Sequence, residues 1–168
     1  MLMPRAIGAD CRFAATRVRE GSALVSEPPE YDPRYLAGIL FFNRREFFEA
    51  HEVWEDLWGD CGDDVRLFYK SLIQAAVGLH HFGNGNLRGA EKLYRTSRGY
   101  MESYPSPYLG LDKMRFWEQM AVCFAPVLAE KDLHRRDLRV DESLIPTITL
   151  SPEPNDWPDP EQFVDHEE

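Results

Sequence analysis

Apolar residues recur at steps of three and four over five stretches of the chain, and short runs of Gly, Pro, Asn and Asp separate the stretches. That period belongs to helices with one buried face. The first stretch (Tyr35, Leu36, Ile39, Leu40, Phe42) follows Asp32 and Pro33. Those two are an N-cap residue and a proline whose fixed φ suits the first helical position. "NRREFFEAHEVWEDLW" then offers Asn43 as an N-cap with Glu46 three residues on, a capping-box spacing, and predicts a second helix ending near Gly59. A third helix is expected from about Val65 to Phe82, stopped by Gly83. Asn86 caps a fourth that reaches about Met101, and a fifth follows Asp112 through Trp117, Phe124 and Leu128, with Pro126 as a kink or boundary. Only "TITL", residues 147–150, shows any period-two alternation. The pattern predicts an all-α fold, a compact bundle of about five helices with short connections.

Composition divides the 168 residues further. Residues 1–30 end in the helix-breaking "SEPPEYDP" and read as an N-terminal arm, residues 31–140 as the helical domain, and residues 141–168 as an acidic, Pro-rich tail, disordered or loosely draped. A hydrophobic fraction of 43% supports a real core, and no apolar run is long enough for a transmembrane helix. Arg5, Asp10 and Arg12 interrupt the N-terminal apolar residues, so a cytoplasmic protein without a secretory signal is expected. Cys11, Cys61 and Cys123 are odd in number and far apart, and are expected to be buried free thiols. The net charge of -10 opposes binding to nucleic acid, which requires clustered cations. Lys stands only at 70, 92, 113 and 131, which fits either adaptation to high salt or a GC-rich genome.

Candidate chemistry concentrates on the second and third helices. Phe47, His51, Trp54 and Trp58 share one stripe, which turns His51 inward, with Glu55 one turn away and Glu52 beside it. On the third helix Gln74 and His81 are two turns apart and point the same way, whereas His80 is offset by about 100°. Gly78 invites close approach of another helix. Antiparallel packing of these helices would bring His51, Glu55, Gln74 and His81 together. Such a pocket is either a hydrogen-bond network that fixes helix register or a site for a small polar ligand or a metal. "HEVWE" puts Glu where a zincin helix has its second His, and no Glu stands three residues before a helical His. On the fourth helix Arg88, Lys92, Arg95 and Arg98 form a basic stripe behind "GNGN". It reads as a solvated face that pairs with the acidic row of the second helix or with a second subunit, or as the surround of an anion at the helix start.

"FNRREFFEAHEVWEDLW" and "FYKSLIQAAVGLHHFGNGNLRGAEKL", in this order and spacing over about residues 41 to 94, resemble a family known as domain of unknown function family 309. The resemblance implies a small all-helical domain with one longer central helix surrounded by shorter ones, and no established activity. Members of that family look like they carry the His-Glu of the second helix and the Gln, His and Gly-Asn of the second block, which fall here on His51, Glu52, Gln74, His81, Gly85 and Asn86.

These readings combine into a binding or interaction module, expected to be a homodimer, with His51, Glu52, Glu55, Gln74, His81 and Asn86 as ligand-binding residues. The expected ligand is small and polar or anionic. No cofactor follows from the residues, and none of the six is assigned to a metal. The alternative is a small metal-assisted, hydrolase-like enzyme with His51, Glu55 and His81 as ligands and Glu52 as general base.

Overall fold

The computed structural model describes residues 30–165. Five helices follow one another: α1 (Pro33–Asn43), α2 (Phe47–Asp60), α3 (Asp63–Gly83), α4 (Leu87–Met101) and α5 (Lys113–Ala129). Two short 3-10 turns, Glu142–Leu144 and Pro160–Phe163, lie in the C-terminal segment, and among the described residues there is no strand. None of these helices is long and apolar enough to cross a membrane. The expected arm falls outside the described residues except for Glu30.

The caps explain most of the boundaries. Asp32 accepts from the Arg34 amide with Pro33 at the first helical position, Asn86 from Gly89, and Asp112 from Arg115. The capping box expected at α2 does not form. The N-cap of α2 is Glu46, with no side-chain cap bond, and Asn43 is the last residue of α1. The reason lies far along the chain. Asn43 donates to the Ile148 carbonyl at 2.9 Å and accepts from the Ile148 amide at 2.8 Å, so its side chain acts as a one-residue strand. Arg45 turns the chain from α1 into α2 in the left-handed region, at φ 68. Its guanidinium donates to the carbonyls of Ile145 and Pro146.

α3, 21 residues long, is the longest helix and packs against α2 on one side and α4 on the other. α1 closes the layer against α2 at Gly38, where an added Cβ would collide with the Trp54 indole, whose Nε1 donates to the Tyr35 carbonyl. The core is aromatic, with Tyr35, Phe42, Trp54, Phe68, Phe82 and Phe124 all fully buried. Ser71 fixes α3 against α4 by donating to the Ser97 carbonyl at 2.6 Å. At Gly78 a Cβ would meet Leu93 of α4 at 3.5 Å, an ordinary contact, so a glycine is not required there.

Within the segment expected to be loose, residues 145–150 contribute to the core. Ile145, Ile148 and Leu150 are buried, and Leu150 bridges Leu111. The alternation of "TITL" is therefore real, with Ile148 and Leu150 inward and Thr147 and Thr149 outward. Of the cysteines, Cys123 is a buried free thiol whose pKa burial pushes up to about 11. Cys61 departs from the expectation, because it is disulfide-bonded. Cys11 lies outside the described residues.

Candidate functional site

The candidate residues lie along the outer face of the α2–α3–α4 layer and fall into separate small networks. His51 is 20% exposed at the side chain; its Nε2 is 3.1 Å from the Glu55 carboxylate and its Nδ1 3.2 Å from the Phe48 carbonyl. Both ring nitrogens thus face acceptors. Glu52 is exposed to solvent. Gln74 turns to α4, where its Oε1 accepts from the Thr96 hydroxyl at 2.7 Å. His81 turns to the α3–α4 turn, where the Asn86 amide donates to its Nδ1 at 3.2 Å while the Asn86 oxygen caps Gly89. An imidazole that accepts at Nδ1 carries its proton on Nε2. Burial, reinforced by neighbouring His80, lowers the His81 pKa below its ordinary value, which agrees with that neutral form.

His51 and His81 are connected through rings rather than through hydrogen bonds. Phe48 lies 5.5 Å from His51 and 6.2 Å from His80, and His80 lies 6.2 Å from His81. The offset of His80 from His81 is what lets it reach across to α2. At the far end of the same face the Arg66 guanidinium covers the Trp58 ring at 3.8 Å, and the Lys70 ammonium is 5.5 Å from both Trp58 and Tyr100. Among the described residues no three His, Cys, Asp or Glu side chains form a group that could hold a metal ion.

A second feature lies where α3 turns into α4. Gly85, Asn86 and Arg88 line one wall of a cleft of about 290 Å³, and Leu133, His134 and Arg136 line the other. Gly85 has φ +77, and a Cβ there would collide with the Arg139 guanidinium and lie 3.1 Å from the Arg136 carbonyl. Glycine thus satisfies both the turn and the close approach of the 133–139 segment. The cleft has no acidic residue in its lining, although the chain holds 29 Asp and Glu. Among the described residues neither Arg88 nor Arg136 has a carboxylate partner, whereas Arg135, next to Arg136 in the chain, pairs with Glu130 and Asp137. His134 and Arg136 were not among the candidate residues. Their signal was "HRRDLR", a basic run in an acidic chain.

Residues 35–93 match the model of a family described as Domain of unknown function (DUF309). The chain is thus similar to that family over 59 of its 168 residues. It is 29% identical over 72 residues to an uncharacterized protein of Aquifex aeolicus (strain VF5), over 42% of this chain and 22% of that protein. It is 31% identical over 94 residues to the uncharacterized protein YpuF of Bacillus subtilis (strain 168), over 54% of each. The chain thus spans about a fifth of the first relative and about half of the second. Neither name states an activity. The DUF309 segment runs from α1 into α4, so it holds all six candidate residues and Arg88, whereas His134 and Arg136 follow it.

Proposed function

We propose that this protein is a binding module for a small anion, a molecule bearing phosphate or carboxylate, held in the cleft at the α3–α4 turn. The observation that supports the proposal is the cleft's charge: two guanidiniums without carboxylate partners among the described residues and an imidazole, in a chain of net charge -10. Cations gathered in one cleft of an acidic chain are available to an anion, and hydrogen bonds between two charged groups are the stronger kind. Of the six residues expected to bind a ligand, Asn86 lines this cleft and His81 holds Asn86 in place. His51, Glu55 and Gln74 are engaged elsewhere on the outer face. The metal-assisted alternative requires donors that converge, and no observation favours it over binding.

Amide NMR spectra of the full chain, titrated with inorganic phosphate and separately with a small dicarboxylate, test the proposal. Saturable shifts at Gly85, Asn86, Arg88 and Arg136 in the millimolar range or tighter are expected. They should weaken at least roughly tenfold in Arg88→Ala and in Arg136→Ala, as loss of a charge-assisted contact implies. Absence of saturable shifts with either anion overturns the proposal.

A further inference from the structure

We infer that the outer face of the α2–α3–α4 layer docks onto a second copy of this chain, about a two-fold axis parallel to α3, so that the acidic α2 of each copy lies against the basic α4 of the other. The two flanks of the face carry opposite charge. α2 holds five carboxylates and no Lys or Arg, and α4 holds Arg88, Lys92, Arg95 and Arg98 against one carboxylate, Glu91. The flanks do not neutralise each other within the chain. α3 lies between them, and among the described residues no ion pair joins α2 to α4. Of the two partners expected for the basic stripe, the acidic row of the same chain is therefore out of reach. The face between the flanks is not a purely solvated one either, because Phe48 and Leu67 are 50% and 42% exposed on it.

Symmetry selects the arrangement. A two-fold axis running across the helices would set α2 on α2 and α4 on α4, like charge on like. An axis parallel to α3 exchanges the flanks and keeps every residue at its own height along the layer. Heights follow from the contacts: Phe48 is level with His80, and His81 with Gly89, at one end; Trp58, Lys70 and Tyr100 are level at the other. Glu52 and Glu55 lie between these ends on α2, and Lys92 and Arg95 lie between them on α4. The rotation therefore sets the two acids of each copy opposite the two cations of the other, twice per dimer, and the interface is self-complementary.

Charge reversal on the full chain, read by sedimentation velocity, tests the inference. The wild-type chain is expected to be dimeric at low salt, and salt should weaken the dimer roughly tenfold or more as screening sets in. Glu52→Lys/Glu55→Lys makes both flanks basic, and Lys92→Glu/Arg95→Glu makes both acidic. Each variant alone should be monomeric, and an equimolar mixture of the two should dimerise, because every contact in the mixed dimer again joins opposite charges. A monomeric wild type at about 100 µM, a variant that dimerises alone, or a mixture that stays monomeric overturns the inference. If a variant lacks the helical circular dichroism of the wild type, the salt series on the wild type decides, and a salt-insensitive dimer overturns it. Arg88 and Arg136 are untouched, so the anion cleft can fail or stand independently.

Discussion

His81 shows how one residue ties the family motif to the fold. Its helical spacing puts it on one stripe with Gln74, which is expected to face the second helix. Instead the Asn86 amide donates to its Nδ1, and its ring lies 3.1 Å from where a Cβ of Gly89 would stand. Helical spacing defined the stripe, but it could not say which neighbouring helix the stripe meets. The lowered pKa has a consequence with a definite sign. Between the lowered value and 6.5 the unfolded chain binds more protons at this site than the folded one, so the contribution of His81 to stability is complete above 6.5. It is lost as pH falls through 6.5 toward the lowered value. Urea midpoints measured between about pH 7.5 and pH 5.5 should therefore decline more steeply for the wild type than for His81→Gln. Gln retains an acceptor for Asn86 and does not titrate. Equal slopes would show that His81 is not held neutral.

At the level of elements, the periodicity of apolar residues located all five helices, and for Asp32, Asn86 and Asp112 the capping chemistry located the starts as well. These signals are local and are complete within a few residues. Asn43 failed as a cap because a residue 105 positions away holds its side chain, and no local pattern carries that information. The join of α1 and α2 is thereby a clamp on the C-terminal segment, gripped by Asn43 at Ile148 and by Arg45 at Ile145 and Pro146. Removing the Asn43 amide leaves the backbone donor and acceptor of a buried residue unpaired. Asn43→Ala should cost about 1 to 3 kcal/mol in urea unfolding, whereas Glu46→Ala should cost little through capping, because Glu46 at the N-cap of α2 makes no side-chain cap bond. Asn43→Asp should not rescue the loss, since its carboxylate would face the Ile148 carbonyl. A wild-type midpoint in Asn43→Ala would refute the clamp.

For the whole molecule, the clamp ties residues 145–148 to the join of α1 and α2. Composition favoured a tail from residue 141, because Pro and acidic residues are poor core formers and Lys and Arg are absent after Ile145. Three apolar side chains decide otherwise: Ile145, Ile148 and Leu150 are each at least 94% buried. They contribute to one aromatic and aliphatic core with the helices, and a short buried stretch of this kind is outweighed in any average over a Pro-rich segment. A loose tail and a packed segment differ in a measurable way. Ile148→Ala in a draped tail should shift stability by no more than about 0.5 kcal/mol, whereas truncation of a buried Ile costs about 2 to 5 kcal/mol. The packed segment predicts the larger loss, in one transition that helical circular dichroism and Trp fluorescence report together. Trp157 lies in the segment itself and Trp54 at the centre of the core, so a fluorescence change that precedes the loss of helix would show the segment peeling off as a separate unit.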